Sequence, residues 1–504
     1  MYQQIAGWVD TNIKEGRLAP NERLPTVRAL AEKLGVNRGS VALAYAHLTK
    51  AGVLQARVGK GTFVGQTSAV VGNVNEAELN GLQLWQSRLA EAAVRLGLGS
   101  PKSLDSGAGM TWVPERGEAS EQNVRIQMDV PLADHRLSHD VIQNMLRSVA
   151  DDLPADALAY GHPQGSYALR SQIADRAQTT GMQVDPRQVL ICNGTQQALS
   201  LACAIMVRPG DTVMMENPGY QGAVRAFRLC GAKIIGIPLD SNGMRVDVLE
   251  QMLRELRPKL IYTVPSFQVP TGTTLDADRR AHLYHLAELH QVPILEDEYA
   301  NALYYGQPPP FPVKALDRAG LVVYIGTFSK TLGASMRLGW ISAHPALVAA
   351  LVQVKEVQDI HTSIFSQLVA ERLLRDGVYD KHLKLLRHHY GLRYQAMIAA
   401  LNRKLGGRIS YHPAGGAFSL WAAAPEGTSA TEWLAFAKAR GVNFECGSSY
   451  FLEAESDRYV RLSFSLLQLS DIKPAVDVLA KSLDEAMQQG SHHSSKKDLF
   501  VPFV

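Results

Sequence analysis

The spacing of apolar positions changes character along the chain. Up to about Val64 it is helical: an amphipathic stretch ends near Gly16, TVRALAEKLG and NRGSVALAYAHLTKAG follow, and VLQARVGKGTFV closes the segment with two β-rich runs flanking Gly59-Lys60-Gly61. This predicts three helices and a hairpin. Thr26 is placed to cap the second helix and Gly35 to end it, and only Val36 and Asn37 then precede Arg38. So short a turn makes two helices cross sharply and lets the third present its N-terminal residues to a DNA major groove. From about Gln66 to Asn123 the pattern weakens. Leu82, Trp85, Leu89, Ala92 and Leu96 recur at three- and four-residue steps, which predicts one helix docked in an interdomain linker, although that helix could equally belong to the domain that follows.

From residue 124 onward helical runs alternate with short apolar strands: QVLICN, DTVMME, KIIGIP, LIYTVP, PILEDE and VVYIGT. Such alternation predicts an α/β domain, a mainly parallel sheet with helices on both faces, whose ligands collect at the carboxyl ends of the strands. From about Arg375 to Gln489 a helical stretch followed by AFSLWA and YVRLSFS predicts a smaller α+β subdomain. The division expected is 1–65, 66–123, 124–489 and a flexible tail over 490–504.

Charge sharpens this division. Residues 1–64 hold nine lysines and arginines against four acids, whereas the 504-residue chain as a whole is only +3, so a basic module sits on a slightly acidic body. That asymmetry suits a nucleic-acid reader attached to something else. There is no uninterrupted apolar run of roughly 18 residues for a membrane span and no export signal at the start, so a cytoplasmic location is expected. The four cysteines share no metal-ligand spacing and read as free thiols, and no metal site is expected.

The candidate chemistry lies just after the apolar strands. Lys330 ends VVYIGTFSK; alone it would read as a surface charge, but Thr327, Ser329 and Arg337 around it suit an imine-forming amine beside a bound phosphate. Asp297, in VPILEDEYA, could meet a protonated pyridine nitrogen, or could cap a helix or pair with an arginine. Tyr299 follows two residues on, within reach of the phenolic oxygen of the same ring. Gly194-Thr195-Gln196 opens a helix after QVLICN, where free N–H groups and the helix dipole favour an anion. Tyr220, in ENPGYQG, could cover a ring face or pack on the core.

Together GTQQ, NPGY, PTG, DEY, FSK and R-x-G, in this order and spacing, resemble the fold-type I pyridoxal-phosphate enzymes over roughly residues 124–488. LPTVRALAEKLGVNRGSVALAYAHL with GKGTFV resembles the GntR-type winged helix-turn-helix, and the combination resembles the MocR regulators. The resemblance implies pyridoxal 5'-phosphate on Lys330, its pyridine nitrogen on Asp297, its ring oxygen near Tyr299, and its phosphate among Thr195, Gln196, Thr327, Ser329 and Arg337. Arg461, in YVRLSFS, would clamp an amino-acid carboxylate with its bidentate fork. In the N-terminal module Arg28 would meet a DNA phosphate, Arg38 with Asn37 and Ser40 the groove, and Arg57 with Lys60 would lie on the wing.

The sequence also departs from the family pattern. Val269 in PSFQVPTG replaces the asparagine that bonds the ring oxygen in many enzymes of this fold, and Phe267 departs from the PSHQFPTG found in related regulators. The resemblance implies a head-to-tail homodimer on double-stranded operator DNA that senses an amino acid, an amine or the cofactor itself. An active aminotransferase with a fused DNA-binding segment and a cofactor-free structural dimeriser are the competing readings.

Overall fold

The computed structural model describes residues 2–14, 17–19, 21–50, 53–57, 61–64, 125–453 and 457–497, in two compact units within 1–92 and 93–504. The helix expected between Leu82 and Leu96 lies outside the described residues. In the first unit, α1 (Tyr2–Lys14), α2 (Val27–Leu34) and α3 (Arg38–Lys50) precede the strands β1 (Leu54–Arg57) and β2 (Gly61–Val64), which pair antiparallel. Thr26 accepts the Ala29 N–H at 3.2 Å, and Gly35 ends α2 with φ +64°, a conformation that costs glycine little. Val9, Leu30, Val41, Ala44, Leu48 and Val64 form the core of this small unit. Tyr45 ties α3 to the chain before α2 by donating to the Pro25 carbonyl at 2.9 Å.

The described part of the second unit opens on β3 (Ile126–Gln127) and is built on eight strands: β4 (Val189–Cys192), β5 (Thr212–Asn217), β6 (Lys233–Asp240), β7 (Gly243–Met244), β8 (Leu260–Thr263), β9 (Ile294–Glu298), β10 (Val322–Thr327) and β11 (Gly339–Ser342). Their order across the sheet is β4-β11-β10-β9-β8-β5-β6-β7. All six strands expected from the apolar runs are present. β11 runs antiparallel to β4 and β10, and β7 antiparallel to β6, so the parallel sheet carries two reversed strands. Both faces are covered, as alternate residues of β4 show. Val189 and Ile191 face an apolar cluster with Leu169 and Ile173, whereas Leu190 and Cys192 face another with Leu199 and Ala202.

The C-terminal layer contains a long helix, Val378–Leu405, and strands β12 (Ser410–Tyr411), β13 (Ser419–Ala423), β14 (Val442–Asn443), β15 (Glu445–Cys446) and β16 (Tyr459–Ser463). The order β12-β13-β16-β15 makes one antiparallel sheet, while β14 pairs with β3. The first described residues of the second unit are thus part of its C-terminal layer, a long-range pairing that local periodicity does not reveal. The last helix runs from Leu469 to Lys497, into the stretch expected to be a flexible tail. A single glycine, Gly490, costs a helix only about 1 kcal/mol and does not stop it.

Trp433 anchors this layer. It is fully buried, its ring centroid lies 5.2 Å from that of Phe444, and its indole N–H donates to the Leu479 carbonyl at 3.0 Å. Trp433→Ala should remove about 3–5 kcal/mol and lower the urea midpoint of the transition that reports on this layer. An unchanged midpoint would count against this packing.

Candidate functional site

Six segments reach one end of the sheet. The turn after β4 carries Asn193 and Gly194 and opens the helix Thr195–Met206. Gly194 has φ +82°, and a side chain there would bring its Cβ to 3.1 Å from the Arg337 guanidinium. Arg337 reaches back from the turn before β11 and donates to the Asn193 carbonyl at 2.8 Å. A guanidinium and unpaired helix N–H groups therefore share one corner, a donor set suited to a phosphate. Thr327 and Ser329 adjoin it; their hydroxyl oxygens lie 3.1 Å apart, and the Ser329 N–H donates to Thr327 Oγ1. Gln196 is exposed, with its amide donating to the Gly222 carbonyl at 3.2 Å, which places it between two helix starts.

Asp297 lies near the end of β9 in a run whose five residues are all buried. Its Oδ2 accepts the Tyr262 hydroxyl at 3.0 Å, while Oδ1 is buried without a hydrogen-bond partner among the described residues. Burial pushes its acid up to about 7, opposed by the Tyr262 hydrogen bond, helped by the nearby Glu216 carboxylate and opposed by the Lys330 charge. A buried carboxylate oxygen left without a donor is costly, so this atom is suited to meet one.

Lys330 follows the neighbouring parallel strand, β10, in which Ile325 pairs with Asp297. The residue as a whole is half-buried; its amine donates to the Pro131 carbonyl at 3.0 Å and lies 5.8 Å from the centroid of the Phe418 ring. Burial lowers its pKa to about 8; Arg461 and Arg337 add to the effect, and Asp297 opposes it. Near neutral pH a usable fraction of the amine is therefore free to attack a carbonyl carbon.

Tyr220 is the residue before the helix Gln221–Leu229, and its ring lies so close over Gly222 that a Cβ there would sit 2.4 Å from it. Burial pushes its phenol up to about 12, and the charges of Asp297, Arg461 and Arg337 are all felt there. Tyr299 donates its hydroxyl proton to the Phe267 carbonyl at 2.9 Å, so in this structure that proton is not offered to a ring oxygen. Arg461, on β16, is buried; it contacts the Tyr450 hydroxyl and lies 3.3 Å from Glu445, its cross-strand neighbour on β15.

Several neighbours escape sequence reasoning. Tyr262 and Glu216 are polar residues inside apolar strands, and no local signal marks the partner of either. Glu216 is fully buried, accepts from Thr263 and Val264, and burial moves it up to about 7. Beside the Arg337 corner, Asp359 accepts from the side-chain amides of Asn193 at 2.5 Å and Gln197 at 2.7 Å, and pairs with the buried Lys355 at 2.8 Å. The four cysteines are free.

In the first unit Arg28 and Arg38 are exposed and Ser40 is half-buried at the start of α3. Asn37 accepts the Gly39 N–H at 2.8 Å through its side-chain oxygen, so this atom caps α3 as well as standing at the expected groove face. Arg57 lies on β1, but its side chain and all of Lys60 fall outside the described residues. No described helix is long and apolar enough to cross a membrane.

Comparison with known proteins gives a match to the family described as aminotransferase class I and II over residues 129–479, and to bacterial regulatory proteins of the gntR family over residues 1–64. The chain is 34% identical over 357 residues to aromatic-amino-acid aminotransferase 1 of Thermococcus litoralis, covering 69% of this chain and 85% of that protein. It is 31% identical over 487 residues to the HTH-type transcriptional regulator TauR of Rhodobacter capsulatus, covering 96% of each. Among solved structures, the multiple substrate aminotransferase of Thermococcus profundus superposes with a TM-score of 0.70 at 31% identity, covering 78% of this chain and 99% of that one.

Proposed function

Because the chain belongs to the aminotransferase class I and II family and joins that domain to a gntR-family segment in the MocR arrangement, we propose that it is a DNA-binding transcription regulator that holds pyridoxal 5'-phosphate and senses an amino acid, an amine or the cofactor. The observation that carries this reading is the pair at adjacent strand ends: a buried Asp297 oxygen with no partner among the described residues, and the Lys330 amine after the neighbouring parallel strand.

The residues fit the cofactor. Asp297 Oδ1 would accept the pyridine N–H, Arg337 with the helix start at Gly194 and Thr195 would hold the phosphate, helped by Gln196, Thr327 and Ser329, and Tyr220 would cover the ring. Pyridoxal phosphate supplies an aldehyde that captures amines and a ring that withdraws electrons. The ring oxygen is served less well: Val269 has no donor, and Tyr299 would have to give up the Phe267 carbonyl. That shortfall favours sensing over rapid turnover. Arg461 would receive an effector carboxylate in exchange for Glu445.

The exposed apolar side chains of Leu158, Tyr160, Val357, Ile360 and Phe365 support a homodimer, in which head-to-tail packing would present two DNA modules. The aminotransferase reading is favoured by the presence of Lys330, Asp297 and Arg461 together. A spectral titration with a panel of amino acids, with promoter binding measured on the same samples, separates the two. The regulator reading expects DNA affinity to change with the spectrum, whereas steady release of 2-oxo acid with no change in DNA affinity would support the enzyme. Arg461→Ala should weaken the response to amino acids about 30-fold or more while leaving the cofactor absorption in place. An unchanged response would reject the carboxylate clamp.

A further inference from the structure

Asp297 has two carboxylate oxygens in different situations. Oδ2 accepts from Tyr262 at 3.0 Å, and Oδ1 has no partner among the described residues. Tyr262 lies on β8, the strand beside β9, and is fully buried. Its ring meets Phe227 edge-on, with centroids 5.7 Å apart, which fixes the direction of the hydroxyl. Burial keeps this phenol far from ionising, so it acts on Asp297 as an O–H donor.

A carboxylate and a pyridine nitrogen that face each other share one proton. Where it rests depends on which charged form the surroundings favour. A second donor on the carboxylate favours the ionic arrangement, because hydrogen bonds to a charged acceptor are roughly twice as strong as those to a neutral one. Around Asp297, Glu216 from β5 pushes toward the neutral acid, whereas Lys330 after β10 and Tyr262 from β8 push toward the carboxylate. Tyr220 and Tyr299 face the same group as un-ionised phenols.

Resting on the cofactor reading above, we infer that Tyr262 is a positioning residue: its hydroxyl holds Asp297 as a carboxylate with Oδ1 turned to the ring, so that the pyridine nitrogen carries the shared proton. Tyr262 does not touch the cofactor in this arrangement. It sets how strongly the ring withdraws electrons.

The test is nitrogen NMR on the full chain loaded with pyridoxal 5'-phosphate labelled with 15N in the ring. Wild type should show the protonated nitrogen and Asp297→Asn the unprotonated one. Tyr262→Phe, which keeps the ring and its contact with Phe227, should move the resonance toward that of Asp297→Asn and weaken cofactor affinity roughly ten-fold. If the phenylalanine variant does not fold, 3-fluorotyrosine in place of Tyr262, which keeps the ring and makes its O–H a stronger donor, provides the test: it should tighten cofactor binding, and an affinity equal to that of wild type overturns the inference. A Tyr262→Phe resonance that coincides with wild type overturns the inference and leaves the cofactor site standing. A wild type that binds no labelled cofactor removes both.

Discussion

Lys330→Ala should abolish the visible absorption expected of the wild-type chain loaded with pyridoxal phosphate, and the cofactor should then be lost on gel filtration. The amine of Lys330 stands after the strand that pairs with the Asp297 strand, at the same end of the sheet. A variant that keeps the band would show that another group makes the bond. The wild-type rate of colour formation carries a sign as well. Burial holds the amine at about 8, so below that pH the proton blocks attack, and raising the pH frees it. The rate should rise roughly tenfold per pH unit toward about 8 and level off above it. A rate that falls over this range would contradict the burial of the amine.

Binding to the chain's own promoter DNA should weaken steeply with salt and disappear when residues 1–64 are removed. Neutralising six phosphates makes affinity fall on the order of 10³-fold between 50 and 200 mM salt, because counterions are released on binding. Arg28→Ala should lower the slope by about 1, as the loss of one phosphate contact does, whereas Arg38→Ala, at the groove, should lower affinity and relax sequence preference. Undiminished DNA affinity without residues 1–64 would move the DNA-binding surface elsewhere.

What could be read from the sequence is what local spacing encodes. The strand runs of QVLICN and VVYIGT, the Thr26 cap and the Gly35 stop depend on neighbours a few residues away, and each is present. The positions of Asp297 and Lys330 were legible because a polar residue at the end of an apolar strand is conspicuous. Tyr262 was not, because its partner is 35 residues away and the strand LIYTVP looks the same with or without it. The antiparallel β11 was hidden for a related reason: GWIS is short, and its direction is set by β4 and β10 rather than by its own residues. The hydrogen bond from Tyr299 to Phe267 shows a further limit, since residue type supplies a donor but only the fold decides its acceptor.

The contact between Lys330 and Pro131 has a mechanical meaning. The backbone emerging after residue 124 is held first by β14, through Ile126 and Gln127, then by the Ser463 hydroxyl at Val130, then by the lysine at Pro131. Whatever engages the amine leaves that carbonyl to find a new donor. One donor therefore serves two ends: the amine that steadies the Pro131 carbonyl is the atom that would report occupancy, so engaging it frees a backbone acceptor three residues before Asp134, the N-cap of the helix His135–Asp151.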